Sequence, residues 1–222
     1  MSSPRALLSW SGGKDSSLAL YELRRSKSYD VVSLITTLTR DFDRVSMHGV
    51  RRELLEMQAE RLGLPVEKVW IAKAAANEEY ESQMSKVLHR QYAAGVRNVV
   101  FGDLFLEDIR RYREDKLALV DMQGVFPLWK KDTRKLASYF IDQGFEAILC
   151  TVDPRKLDPS FCGREFDDSL LSDFPEGVDP CGENGEFHTF VYGGPIFSDE
   201  IGVKRGEVVL RDGFCFADIV PA

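Results

Sequence analysis

The chain has 222 residues, of which 44% are hydrophobic and 29% are charged, as is typical of a globular protein with a substantial core. Its formal net charge of −7 argues against broad binding to nucleic acid or to anionic membranes, because both attract basic surfaces. No apolar run approaches the ~20 residues of a membrane span and the first residues do not resemble a signal peptide, so we expect a cytoplasmic protein without a membrane partner.

Short apolar runs alternate with amphipathic stretches through the first two-thirds of the chain. The predicted strands are residues 6–8, 31–35, 66–71, 99–101 and 147–150. The predicted helices are residues 18–25, 50–62, 77–92 and 109–120, and a fifth that Asp132 caps and Gly144 ends. Strands separated by helices form crossover units, so we predict an α/β fold with a doubly wound, mostly parallel sheet.

The pattern changes after Pro154. Residues 154–182 are rich in Pro, Asp, Ser and Gly, and strand-like runs follow at 187–192, 208–210 and 214–220. We therefore predict an α/β domain over residues 1–152 and a smaller, mixed α+β region over residues 153–222. The four cysteines form no C-x-x-C pair, which favours reduced thiols over a disulfide framework or a zinc site.

The loop SWSGGKDSS, residues 9–17, follows the first strand and precedes the first helix. Gly12 and Gly13 allow close approach to an anion, and the hydroxyls of Ser11 and Ser16 add to the free N–H groups of the helix. Lys14 can pair with a phosphate, and Asp15 is a candidate magnesium ligand. The Walker spacing G-x-x-x-x-G-K-[ST] is absent, and a plain Gly-Gly turn before a capped helix is the alternative.

Residues 11–16 resemble in full the S-G-G-x-D-[ST] loop of the PP-loop ATP pyrophosphatases, within the adenine nucleotide alpha hydrolase superfamily. The resemblance implies a Rossmann-like fold of the HUP type that binds ATP and Mg²⁺. It also implies cleavage between the α- and β-phosphates, with AMP passing to an acceptor.

A second motif, PCGENGEFHTF at residues 180–190, resembles the E-G-E-G-G-E-[FY]-E-T motif of the diphthine–ammonia ligase family, and residues 44–49 and 101–114 agree with the same family. Two glycines bracket Glu183 in a tight turn, which we expect to gather Glu183, Glu186 and His188 for ammonium binding or proton transfer. A solvated hairpin turn is the alternative. Cys181, Asn184 and His188 stand where the ligase pattern prefers Glu, Gly and Glu, which puts the acceptor in question.

Further candidate residues follow other predicted strands, and parallel strands place such residues at one sheet edge. Thr37, His48, Gly102 and Asp103 are expected to contact the nucleotide, although a Gly-Asp pair is also common in plain turns. Arginines of residues 101–114 could neutralise the pyrophosphate, with intrahelical ion pairs as the alternative.

The resemblance implies an AMP-forming C–N ligase that amidates a carboxylate with ammonia in diphthamide biosynthesis. The acceptor could be a protein such as elongation factor 2 carrying diphthine, with ammonia free or delivered by a partner, and a homo-oligomer stays open. Two alternatives are a PP-loop enzyme acting on another acceptor, such as tRNA or a small carboxylate, and a module that binds ATP or AMP without turnover.

Overall fold

A mostly parallel sheet forms the larger layer of the protein. The computed structural model describes residues 3–73 and 77–222, with only the backbone of residue 77. The sheet contains β1 (Arg5–Ser9), β2 (Asp30–Thr39), β3 (Arg44–Val45), β4 (Val66–Ile71), β5 (Asn98–Val100) and β6 (Gln123–Val125). Strands β4, β2, β1, β5 and β6 are parallel neighbours in that order, and β3 pairs antiparallel with the end of β2. The predicted α/β fold is confirmed.

Helices cover both faces of this sheet. They are α1 (Lys14–Ser26), α2 (Arg52–Leu62), α3 (Asn77–Ala93), α4 (Glu107–Ala118) and α5 (Thr133–Asp142). A short helix, α6 (Asp168–Asp173), packs against α5. On one face, α3 and α4 share a small core with Leu7 and Val99. On the other, α1, α2 and α5 share a larger core with a second sheet. The side chain of Asp132 accepts the backbone N–H of Lys135, so the predicted cap of α5 is confirmed.

The second sheet is antiparallel. It contains β7 (Glu146–Val152), β8 (Phe187–Gly193), β9 (Val203–Arg211) and β10 (Phe214–Pro221), in the order β8-β7-β10-β9. The strand at 147–150 was expected to belong to the parallel series, and this prediction is wrong, because β7 pairs with β8 and β10. Six of its seven residues are buried, and a continuous apolar run predicts a buried strand without specifying its partners.

The predicted domain boundary at residues 152 and 153 stays a prediction, although the two sheets separate earlier, between β6 and β7. All four cysteines are buried and unpaired. Among the described residues, no helix combines the length and the apolar character that crossing a bilayer requires.

Candidate active site

The loop that joins β1 to α1, which we call the phosphate loop (residues 11–16), lies at the carboxyl edge of the parallel sheet. Gly12 has φ +80°, and a Cβ there would lie 2.7 Å from Oε1 of Gln58, so both conformation and space favour glycine. The carbonyl of Gly13 accepts the Ser16 hydroxyl at 2.9 Å and the Ser17 N–H at 3.1 Å, which begins α1. The loop therefore directs a helix N-terminus toward the sheet edge.

Lys14 connects the phosphate loop to the second motif. Its ammonium donates to both oxygens of Asp15 at 2.8 Å and to the carbonyl of Cys181, and its backbone N–H donates to Oγ1 of Thr189 at 3.0 Å. The residue is only 2% exposed. Burial acts to lower the pKa of Lys14, but the Asp15 carboxylate outweighs it, so the pKa is raised. The site thus contains a buried ammonium group that is charged at neutral pH.

Gly102 and Asp103 follow β5 and lie against the first turn of α1. A Cβ on Gly102 would come within 2.7 Å of the backbone carbon of Asp15, so this contact requires glycine. The Asp103 carboxylate forms an ion pair with Arg113, whose Nε lies 2.7 Å from Oδ2 and whose Nη2 donates to Oδ1 at 3.0 Å. The guanidinium also lies 4.3 Å from the ring centre of Phe101. Asp103 is therefore neutralised by a residue of α4.

Glu183 reaches from the second motif to the end of β5. Its Oε1 accepts the backbone N–H of Leu104 at 3.0 Å. Burial raises the pKa of Glu183 to about 7, although the Leu104 N–H acts to lower it. Its titration therefore lies closer to neutral pH than that of an ordinary glutamate, which suits a group that donates or accepts a proton.

Glu186 is buried, and its two carboxylate oxygens differ. Oε1 accepts the backbone N–H of Asp179 at 3.0 Å and the side-chain amide of Asn184 at 3.2 Å. Oε2 is buried and has no hydrogen-bond partner among the described residues. A buried carboxylate oxygen in that state can accept a proton or an N–H group at little further desolvation cost.

His48 and His188 form a stacked pair, with ring centroids 4.4 Å apart and planes 28° from parallel. Burial and then the neighbouring imidazole hold the pKa of His48 well below its usual range, and burial followed by Lys14 lowers the pKa of His188 to about 4. Both rings are therefore neutral at pH 7. The backbone carbonyl of His48 accepts the Thr151 hydroxyl of β7 at 2.9 Å, which ties this segment to the second sheet.

A cavity of about 440 Å³ opens at this edge, and we call it the edge cavity. Ser11, Thr37, Ile35, Tyr80, His48 and His188 are among its lining residues. A second cavity of about 230 Å³ lies between α3 and α4 and shares Ile35, Tyr80, Met84 and Arg113 with the first. Together they form a crevice beside β1, near the switch in strand order where α/β sheets commonly bind ligands.

The predicted site residues thus form two groups that meet at Lys14. Ser11, Thr37, His48 and His188 line the edge cavity, whereas Gly102, Asp103, Glu183 and Glu186 lie on the other side of the first turn of α1 or in the motif. Glu183, Glu186 and His188 have separate partners. No hydrogen bond or ion pair joins their side chains in residues 3–73 and 77–222.

Three further residues of the site were not among the predicted site residues. Gln58 contacts Gly12, Arg113 holds Asp103, and Thr189 binds the backbone of Lys14. Thr189 could have been found as the last position of the second motif, and Arg113 was considered only as one of several arginines. Gln58 lies in an amphipathic helix, and nothing in its spacing separates it from an ordinary helix residue.

Comparison with known families decides the assignment. The sequence model of the diphthamide synthase N-terminal domain matches residues 4–119, and that of the diphthamide synthase C-terminal domain matches residues 132–220. The chain belongs to the diphthamide synthase family. The two matched regions cover both motifs of the site, because the phosphate loop lies in the first region and residues 180–190 lie in the second.

Three of the relatives of this chain are proteins named diphthine–ammonia ligase. The one from Danio rerio is 27% identical and aligns over 94% of this chain and 90% of its own length. The one from Rattus norvegicus is 26% identical over 94% and 86% of the two chains. The one from Schizosaccharomyces pombe is 28% identical, and the chain spans 36% of that protein. A crystal structure described as a predicted subunit of tRNA methyltransferase from Methanocaldococcus jannaschii is 18% identical, covers 89% of this chain and all of its own, and has a TM-score of 0.40.

The raised pKa of Glu183 gives a testable pH dependence of stability. Between pH 4.5 and about 7 the folded chain holds a proton that the unfolded chain has lost, so this group's contribution to stability falls as pH rises through that window. We expect Glu183→Gln to gain about 1–2 kcal/mol relative to the unsubstituted chain between pH 5 and pH 8, after allowance for partial solvation. Denaturant unfolding at both pH values measures this, with the exposed Glu176→Gln as a control. A difference that stays constant with pH would contradict the assigned shift.

Proposed function

We propose that this chain is an ATP-dependent ligase that forms AMP and pyrophosphate, activates a carboxylate as an acyl adenylate and amidates it with ammonia. The observation that carries the proposal is the position of Lys14, whose ammonium touches both the phosphate loop at Asp15 and the second motif at Cys181. A cation that contacts both motifs can stabilise the leaving pyrophosphate close to the residues proposed to meet the acyl group. The names of the curated relatives support the same reaction class.

The phosphate loop supplies the donors that phosphates require. The hydroxyls of Ser11 and Ser16 lie 3.3 Å apart, and the first turn of α1 adds backbone N–H groups. Lys14 supplies the positive charge that a phosphate requires, when a phosphate oxygen replaces the Cys181 carbonyl as the acceptor of its ammonium. We assign the β- and γ-phosphates to this loop, which leaves the α-phosphorus open to attack.

The crevice beside the loop suits the nucleoside. Ile35, Tyr80 and Met84 supply apolar walls that are shared by both cavities, and Thr37 supplies a polar group in the edge cavity. An adenine base needs a flat, mostly apolar slot with few polar contacts. We assign adenosine to this crevice.

Magnesium fits this site only in company with ATP. Among the described residues there is no group of three or more His, Cys, Asp or Glu side chains that could hold a metal ion by itself. Mg²⁺ in nucleotide sites commonly uses one or two carboxylates together with phosphate oxygens and water. Asp15, whose side chain is 31% exposed, is the candidate carboxylate, and a bound Mg²⁺ would supply charge neutralisation for the leaving pyrophosphate.

The proposed chemistry has two steps. A carboxylate oxygen of the acceptor attacks the α-phosphorus, the bond to the β-phosphate oxygen breaks, and pyrophosphate leaves with its charge stabilised by Lys14. Ammonia then attacks the acyl carbon, and AMP leaves with the carboxylate oxygen. The amide nitrogen must lose a proton, and Glu186 Oε2, unprotonated Glu183 and neutral His188 are the candidate acceptors.

For the acceptor, we propose the chemical class, a carboxylate, and no single compound. Diphthine on elongation factor 2 is the first candidate because relatives are named for diphthine. However, His188 lines the edge cavity where the ligase motif has a glutamate, so the wall beside the loop lacks one negative charge. A carboxylate of different charge would fit such a wall at a smaller electrostatic cost.

Product analysis tests the proposal. The protein is incubated with ATP, Mg²⁺, ammonium and a panel of carboxylates that includes diphthine-bearing elongation factor 2, and nucleotides are separated by chromatography. We expect AMP and pyrophosphate in equal amounts, dependent on one acceptor. ADP as the product would overturn the adenylation step, and ATP binding without turnover across the panel would favour the binding module.

A further inference from the structure

Gln58 of α2 is a fully buried polar residue with no role in the chemistry described above. It is 0% exposed, and its side-chain amide is completely engaged. Oε1 accepts the indole N–H of Trp10 at 2.9 Å, and Nε2 donates to the carbonyls of Gly12 at 3.0 Å and Val191 at 2.6 Å. Only an amide presents one acceptor and two donors in this arrangement, since a carboxylate lacks the donors and an apolar side chain lacks all three groups.

These bonds join two parts of the site that come from different sheets. Gly12 belongs to the phosphate loop, and Val191 belongs to β8, the strand that carries His188. The Gly12 carbonyl also accepts the N–H of Val191 at 2.9 Å, so a direct backbone hydrogen bond joins the loop to β8. Gln58 adds two hydrogen bonds to this contact, because its side-chain amide donates to the Gly12 carbonyl of the loop and to the Val191 carbonyl of β8.

We propose that Gln58 is a positioning residue that fixes the register of the phosphate loop against β8. It acts through the Gly12 carbonyl and does not touch ATP. The consequence is a fixed separation between the loop that holds the phosphates and the β8 residues proposed to meet the acceptor. The close approach at Gly12, where a Cβ would lie 2.7 Å from Gln58 Oε1, shows how tightly the loop sits on this side chain. The inference rests on the proposed ATP site.

The test measures nucleotide affinity in Gln58→Met, which keeps the length of the side chain and removes its three hydrogen bonds. The probe is α,β-methylene-ATP with Mg²⁺, titrated by calorimetry, so that no acceptor is needed. We expect the Kd to rise at least tenfold, because the Gly12 and Val191 carbonyls lose a donor and the loop can shift.

A stability control separates positioning from loss of fold. Leu170→Ala opens a cavity beneath α6, which packs against α5, and Leu170 is fully buried. Both variants are titrated at temperatures equally far below their own Tm. We expect Leu170→Ala to bind the analogue like the unsubstituted chain, and an equal loss of affinity in both variants would overturn the inference.

Gln58→Glu adds a readout that general destabilisation would not move. The carboxyl group that this substitution introduces has one O–H donor when it is protonated and none when it is ionised, and burial brings its titration toward neutral pH. Relative to the unsubstituted chain at each pH, we expect the affinity of Gln58→Glu to fall as pH rises from 5.5 to 8.5 and that of Gln58→Met to stay level. If the unsubstituted chain does not bind the analogue, the proposed ATP site fails. If it binds and the Gln58 variants bind equally well, only the role of Gln58 fails.

Discussion

Replacing Lys14 with Met is expected to lower the rate of AMP formation by at least about a hundredfold, because a buried donor to the developing pyrophosphate charge is lost. Among the described residues, only this ammonium donates both to Asp15 and to the Cys181 carbonyl, so no other described side chain replaces both bonds. The measurement is the rate of AMP release from ATP at saturating acceptor, compared with Arg25→Met at the exposed end of the same helix.

Thermal unfolding of the same pair distinguishes a chemical effect from a structural one. Lys14→Met removes the cation beside Asp15, but burial already raises the pKa of Asp15, so this carboxyl group can take up a proton, and its side chain is 31% exposed to water. We therefore expect the fold to persist at the assay temperature. Full-rate AMP formation in folded Lys14→Met would refute the role of the phosphate loop, and loss of activity in Arg25→Met would show that charge on this helix acts at long range.

Gly102→Ala is expected to have the largest combined effect on stability and activity. The added Cβ would lie 2.7 Å from the backbone carbon of Asp15 and 3.0 Å from the N of Ser16, and backbone in the first turn of a helix cannot move without moving the loop. We expect a loss of about 1–3 kcal/mol in the free energy of unfolding, as for other overpacked contacts. We also expect AMP formation to fall more than tenfold, because displacement of reacting groups by ~1 Å costs about that or more.

Gly144→Ala provides the matched control for this substitution. Gly144 ends α5 with φ +77°. Apart from its own chain neighbours, no atom of the described residues lies within 4 Å of the position that an added Cβ would take, so alanine there costs only the strain of the left-handed backbone, about 1 kcal/mol. Denaturant unfolding and the AMP assay are run on both variants. If Gly102→Ala retained full activity, the close contact between the end of β5 and the phosphate loop would have no part in catalysis.

Much of the fold followed from local pattern alone. Strands β1, β2, β4 and β5 and helices α1 to α5 all appear where alternation of apolar runs and amphipathic stretches predicted them. The strands and helix that were missed, β3, β6 and α6, have two, three and six residues, and they lack the apolar run that revealed the equally short β5. The two motifs also stood out in the sequence, because glycine, lysine and carboxylate spacing is a local property.

The placement of β7 and the hydrogen bonds within the site depend on contacts between residues far apart in the chain, which local sequence patterns do not predict. The sequence of β7 specified a buried strand, but its partners β8 and β10 lie far along the chain, and hydrogen-bonded pairing depends on which apolar faces meet. The same holds for the site. The bond from Lys14 to Cys181 spans 167 residues, that from Leu104 to Glu183 spans 79, and that from Gln58 to Val191 spans 133.

By itself, the sequence determined which chemical groups the protein carries and which short segments present them: a glycine-rich loop with Lys14 and Asp15 before a helix, and a turn with Glu183 and Glu186 before a strand. Only the tertiary structure decided that these segments share one cation, that burial brings the pKa of Glu183 to about 7, and that Gln58 joins the loop to β8. The physical reason is that desolvation and hydrogen-bond partners are properties of the packed chain, whereas residue spacing records only local geometry.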